Sequence, residues 1–422
     1  MPENDLRYLM RRLNALFNPL GYSQTLYQNG IRMHFVFISS LVPVQAPASG
    51  YDIANRVIVD AIRLIGHKVS VIGFLQPGHQ PAAPEDTRLL GRLEVTNARV
   101  TKLKKALWLK DAFLHGEPVS VAKMHAAAPS QIRAALDALG EIDGLILNSV
   151  QLPGAFLDIF KAWPCIFIAH NVEARSAADN AAGAGDPLTR FLFARDARIL
   201  AKLERELCAA SRHVFTLAEA DRGELGVGRD EHSTTLPLVT SVTPPGGPVP
   251  RAPLYDAGMI GSWTWAANRA GLDWFIAEVV PRLPSDFRIG VAGGTGADVP
   301  VAPDNVTFLG RVDDAREFVR SCRVIPLISR TGTGVQLKTI ETFEMGLPSV
   351  ATRNALRGIS RPPPNCVPAD DPEAFASALV ETVGRSRGGE RLDSDGRAFH
   401  AHQLSGLSDA LSRGLGCLKE KG

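Results

Sequence analysis

RTGTGVQLKTIETFEMGLPSVAT, residues 330–352, sets three glycines, a lysine and two glutamates between apolar segments. RVIPLIS before it and PSVAT at its end read as buried parallel strands, each a short apolar run bounded by turn residues. The middle is then a crossover. Gly332 and Gly334 let the backbone approach a ligand, and Thr333 is expected to cap a helix beginning near Val335. Gly346, followed by Pro348, supplies the stop. Free N–H groups and the helix dipole favour an anion at such a start, and Lys338 in the first turn adds a full charge. Glu341 follows on the same face. Two readings of this pair stay open. Lys338 and Glu341 form an exposed ion pair contributing under about 1 kcal/mol, or the lysine meets a phosphate while the glutamate accepts vicinal ribose hydroxyls. Glu344 is expected to be solvated or packed against the next loop.

Outward from this stretch the same alternation recurs. AGMIGSW, AGLDWFIAEVVPRL, FRIGVAGG, VTFLG and DDAREFVRSC precede it as strand and helix patterns. The first half runs MHFVFISSL, the loop VPVQAPASGYD, the helical IANRVIVDAIRLIG and the strand HKVSVIGFL, then IRAALDALGEI, DGLILNSV, FLDIFKAW and PCIFIAHN. Between the halves, PLVTSVTPPGGPVPRAP breaks every period, because proline lacks a donor and glycine is permissive. The expected fold is α/β: two doubly wound, Rossmann-like domains facing each other across a cleft at the carboxyl ends of their strands. The expected divisions are a helical extension over 1–30, a first domain over 31–238, a linker over 239–253, a second domain over 254–400 and a helical tail over 401–422.

A chain of 422 residues fits two such domains. Its formal net charge of +2 implies no nucleic-acid partner, so any basic site is local. Five cysteines lie far apart without metal-finger spacing, which favours packed, reduced thiols. The start, MPENDLRYLMRRLNALF, has no apolar signal core, and no run approaches a membrane span. A cytoplasmic protein is expected. Leu6, Leu9, Met10, Leu13, Leu16, Phe17 and Leu20 fall at helical spacing beside Arg7, Arg11 and Arg12. This amphipathic helix either packs on its own protein or a dimer mate, or lies peripherally on the inner face of an anionic membrane. The lysine-rich TKLKKALWLKDAFL is a solvated helix edge or a surface for a lipid-linked acceptor.

GTGVQLKTIETFEMGLPSVAT resembles the donor-binding segment of GT-B glycosyltransferases, especially family 4, the retaining group 1 enzymes. MIGSWTWAANRAGLDWFIAEVVPRL, RIGVAGGTG, VTFLGRVDD and ADDPEAFASAL resemble further segments of that family in the expected order, and IAHNVEA resembles its first-domain histidine motif. The resemblance implies a nucleotide-sugar donor as co-substrate, a sugar or lipid-linked hydroxyl acceptor, no cofactor, no metal, and transfer with retention. It places Glu341 on the donor ribose and His170 beside the transferred sugar. Gly50 falls in the loop after the first strand, and Gly310 with Arg311 on the turn bordering the base. The family's first paired glutamate falls on Thr333, and its basic pair near the second domain's start is missing: GSWTWAANRAG, whose Gly261 is a candidate for donor contact, offers Ser262 and Asn268 there. Lys338, helped by Arg330, would then supply the charge for the diphosphate, with preorganised amides of Gly332, Thr333, Gly334 and Val335 around it.

Taken alone, His170 is either a structural hydrogen-bonder or catalytic. Asn171 is equally open, and Glu173 on the same loop orients a ring, touches acceptor or caps a helix. Trp263 and Trp265 stack a base or sugar, or pack in the core or a lid. Two other outcomes stay open for the whole chain: a GT-B scaffold that has lost its chemistry and serves as a partner subunit, and a nucleotide-sugar epimerase.

Overall fold

Both halves build parallel sheets because their strands are short apolar runs buried on both faces. A computed structural model describes residues 32–95, 100–228, 231–247, 250–296 and 299–419. The amphipathic pattern over residues 6–20 lies outside them. In the first lobe the strands are β1 (His34–Leu41), β2 (Lys68–Leu75), β3 (Thr87–Arg92), β4 (Gly144–Asn148), β5 (Cys165–Ala169), β6 (His213–Thr216) and β7 (Ser233–Thr235), in the order β3-β2-β1-β4-β5-β6-β7. The second holds β8 (Tyr255–Ile260), β9 (Ile289–Ala292), β10 (Val306–Gly310), β11 (Cys322–Leu327), β12 (Ser349–Ala351) and β13 (Cys366–Pro368), ordered β10-β9-β8-β11-β12-β13. Strand order reverses beside β1 in one sheet and beside β8 in the other. In doubly wound sheets the ligand crevice opens at such reversals, outside the carboxyl ends of the strands. Both sheets belong to one compact unit, His34–Gly422.

Local chemistry sets where the key helices begin. Ser49 accepts from the Asp52 amide while Asp52 Oδ2 accepts from the Ser49 amide, a reciprocal cap that starts helix Gly50–Leu64 at the end of β1. Helix Leu337–Glu344 follows β11 with Gln336 in the capping position and no side-chain cap. Its start therefore lies two residues beyond Val335, and Thr333 does not cap it. Ile340 and Phe343 on its inner face are fully buried, about 2 kcal/mol each. Phe343 meets Phe399 edge-on at 5.3 Å, which ties this helix to helix Gly396–Gly416.

Helix Gly396–Gly416 crosses from the second lobe to the first. His400 Nε2 lies 2.7 Å from the Ser241 carbonyl, and Gln403 Nε2 donates to Leu238 O at 3.2 Å. Gly414 lies so close to β6 that an added Cβ would stand 2.2 Å from the Phe215 ring. Glu344 is neither solvated nor idle. It is buried, and its carboxylate accepts from both the amide and the hydroxyl of Thr240 in the segment joining the lobes. Burial raises the Glu344 carboxyl to about 7.

Candidate functional site

The two lobes meet at residues that the sequence singles out. The Val172 amide donates to Thr333 Oγ1 at 3.0 Å, so the threonine hydroxyl holds the first-lobe loop. The Gly334 amide donates to Asp221 Oδ2 at 2.9 Å. A Cβ at Gly334, whose φ is +72°, would stand 2.4 Å from the His170 carbonyl, and one at Gly50 would touch Leu337 at 3.7 Å. His170, Asn171 and Gly50 thus lie against the start of helix Leu337–Glu344. Of the amides expected to be bare, that of Gly334 is occupied. Arg357 grips the loop from its own lobe, donating from Nε to Gly334 O at 3.0 Å and from Nη2 to Thr333 O at 3.2 Å.

Lys338 and Glu341 do not pair. Glu341 Oε1 accepts from Arg316 Nε at 2.8 Å, on the helix Ala315–Arg320. Lys338 has no carboxylate partner among the described residues. Its Nζ sits 5.7 Å from the Trp263 ring centroid, and burial lowers its ammonium to about 8. A cation held half-buried without a counter-ion is costly unless something anionic completes it. Arg330 is turned elsewhere, donating to Asp370 O at 3.0 Å and stacking on Trp274 at 4.6 Å. Trp263 is core rather than a stacking platform: it is 1% exposed and its indole donates to Ala292 O. Trp265 is exposed.

Three glycines converge at the carboxyl ends of β8, β9 and β10. The Gly293 amide donates to Gly310 O at 2.6 Å, and a Cβ on Gly293 would stand 1.8 Å from Gly261 O. Only glycine fits at Gly293, which lets the three strand ends pack backbone against backbone. Ser262 beside it accepts on its carbonyl from Asn268 Nδ2 at 3.1 Å, and Arg311 is exposed. Gly332, at φ +97°, begins the loop on the other side of the crevice.

Opposite stands His170 at the end of β5. Its Nε2 lies 2.8 Å from Asn148 Oδ1, and its ring centroid 5.1 Å from that of Tyr51. Burial pushes the imidazole down to about 4, so it is neutral at ordinary pH. Asn148, at the end of β4, belongs to a buried set with Asn55 and Ser39, and the next residue, Ser149, has φ +62°. No other described non-glycine residue has a positive φ, and such strain persists only where the surroundings enforce it. Glu173 orients no ring. It opens helix Glu173–Ala182 and accepts from Gln151 Nε2 at 3.0 Å. The helix start is capped instead by buried Glu204, which accepts from the amides of Glu173 and Ala174 and is raised by burial to about 7. Sequence reasoning missed Asn148, Glu204, Asp221, Arg316 and Arg357. DGLILNSV did offer a polar residue closing a buried strand, the one signal that could have flagged Asn148.

Residues 255–384 match the family model described as Glycosyl transferases group 1. The match covers all six strands of the second lobe, which is thus similar to a group 1 glycosyltransferase domain. No curated protein matches the chain in sequence. Among solved structures, a sucrose-phosphate synthase from Thermosynechococcus elongatus aligns with TM-score 0.60 at 14% identity, covering 90% of this chain and 98% of that one. HepE from Anabaena, in complex with UDP and glucose, aligns with TM-score 0.56 at 12% identity over 91% and 100%. WaaG, a glycosyltransferase involved in lipopolysaccharide biosynthesis, gives 0.51 at 14% over 92% and 100%. These likenesses establish the fold, GT-B; Lys338 and Glu341 lie within the residues that match group 1, and His170 lies in the first lobe against the loop before their helix. Among the described residues no helix is long and apolar enough to cross a membrane, and no group of three or more His, Cys, Asp or Glu is placed to hold a metal ion.

Proposed function

We propose that this protein transfers a sugar from a nucleotide-sugar donor to a hydroxyl acceptor, sugar or lipid-linked, with retention and without a metal. The observation that carries the reading is Lys338: a half-buried ammonium without a carboxylate partner, in the first turn of a helix inside the group 1 domain. A diphosphate would supply the missing counter-charge, and the same lysine would stabilise it as it leaves. Glu341 would accept the donor ribose hydroxyls, held in place by Arg316, and the Gly261, Gly293 and Gly310 edge would lie under the nucleotide. HepE was crystallised with UDP and glucose, and the same ligand class is what this crevice would take. The N-terminal amphipathic segment would bring the enzyme to the inner membrane face when the acceptor is lipid-linked.

Thermal shift across UDP-, GDP-, ADP- and dTDP-sugars tests the reading, followed by turnover with the donor that binds. A stabilising nucleotide whose effect disappears in Lys338→Ala is the expected result. No stabilisation by any of them would remove it. The inert-scaffold alternative draws on the Asp221 contact, which occupies an amide the donor would use. It requires nucleotide indifference in the same assay.

A further inference from the structure

The hydrogen-bond pattern beneath His170 fixes which of its ring nitrogens carries the proton. Leu41 O can only accept, and Asn55 Nδ2 lies 3.2 Å from it, so the Asn55 amide nitrogen faces that carbonyl. Asn55 Oδ1 is then turned to Asn148, at 2.9 Å, and Asn148 must meet it with Nδ2. Asn148 Nδ2 also donates to Ser39 Oγ at 3.1 Å. Asn148 is left with only its carbonyl oxygen for His170 Nε2, at 2.8 Å. An oxygen acceptor there demands a proton on Nε2. In a neutral ring Nδ1 is then bare, and it has no hydrogen-bond partner among the described residues.

We propose that Asn148 is a positioning residue: it locks His170 as the Nε2–H tautomer, so that Nδ1 serves as an acceptor for a hydroxyl of the bound sugar. The sugar contact rests on the proposed donor chemistry; the tautomer does not. A ring held in this form takes a hydrogen bond from a hydroxyl and cannot give a proton to a leaving phosphate. The anchoring is rigid for a physical reason. Ser39, Asn55 and Asn148 are all buried, on β1, on the helix Gly50–Leu64 and on β4, and each amide group's orientation dictates the next. The left-handed Ser149 turns the chain immediately after Asn148.

The test has two arms on the full chain. In long-range ¹H–¹⁵N spectra of histidine-labelled protein, with the His170 signals assigned by their loss in His170→Phe, the ring is expected as Nε2–H from pH 6 to 8. An Nδ1–H pattern, or a mixture of both, overturns the proposal whatever the protein's activity. Asn148→Asp preserves the shape of the side chain but sets a carboxylate on Nε2, which favours the imidazolium. Its turnover of the donor found by thermal shift is expected to fall at least tenfold from pH 8 to 6, while the native enzyme changes less than twofold. Affinity for the nucleoside diphosphate alone, which lacks the sugar, should stay within threefold of native. A variant with the native pH profile, or one that loses nucleoside diphosphate binding in parallel, overturns the positioning role. If no nucleotide sugar binds at all, the sugar-transfer reading fails, and the spectra still decide the tautomer.

Discussion

The Gly334 amide donates to Asp221 across the lobe boundary, joining residues 113 positions apart in the chain. Asp221 is 1% exposed, and burial raises its carboxyl to about 6, against an ordinary value of 3.8. The folded state therefore holds a proton on Asp221 that the unfolded chain releases at lower pH. Its contribution to stability declines as pH climbs from about 4 to about 6, by an amount on the order of 2–3 kcal/mol. In Asp221→Asn that decline is absent. Urea midpoints of both proteins, taken at half-unit steps from pH 4 to 7, should converge at the acid end and favour the variant at the neutral end. Parallel curves would show that the carboxyl does not titrate in this window.

Lys338 is expected to trade stability for binding. Burial has lowered its ammonium to about 8, so the charge is present below that pH and lost above it, and nucleoside diphosphate affinity should weaken as pH passes 8. Lys338→Met removes the buried charge. The ligand-free protein should gain on the order of 1–3 kcal/mol, while diphosphate affinity falls at least tenfold, about 1.4 kcal/mol. Calorimetric melting and titration calorimetry read the two effects on one preparation.

Glu341 gives a prediction about ribose. Bound to Arg316 at 2.8 Å, its carboxylate has one oxygen left to accept donor hydroxyls. The native protein should bind a ribonucleotide roughly tenfold more tightly than the matching 2′,3′-dideoxy nucleotide, and Glu341→Gln should bind both alike. Arg316→Ala should weaken ribonucleotide binding severalfold by leaving that carboxylate unheld. Equal discrimination in all three proteins would place the ribose elsewhere.

Gly334→Ala sets a methyl group 2.4 Å from the His170 carbonyl at a φ of +72°. Strain and clash together should cost about 2 kcal/mol or more, and the lobes should separate rather than the core yield. Small-angle scattering is expected to report a larger radius of gyration, with turnover reduced. An unchanged radius with full turnover would mean that this contact is dispensable.

Much of the architecture was legible because parallel strands buried on both faces leave unbroken apolar runs: HFVFISSL, GLILN and CIFIA in the first lobe, and CRVIPL in the second. TRLLGR was not, since an edge strand with only Leu90 buried carries no periodic signal, and β7 and β13 each bury a single residue, Ser233 and Cys366. Lys338, Glu341 and His170 stood out through motif context. Their partners did not. Glu204 lies in a long charged helix where it looks solvated, and Arg316 and Arg357 look like ordinary surface cations. What each one does is set by a group brought near only by folding. The helix start was misplaced for a related reason: Thr333 is a good cap by type, but its hydroxyl is engaged by Val172 of the other lobe.

The helix Gly396–Gly416 has a mechanical corollary. Because it returns to the first sheet, the lobes are strung together twice, once through residues 236–254 and again just before Gly396. A body suspended at two points swings about the line between them, so opening and shutting should be a one-dimensional rocking rather than a free tumble. Glu344, gripping Thr240 from the helix that follows the loop of Gly332 and Gly334, ties the second lobe to the first of those two connections.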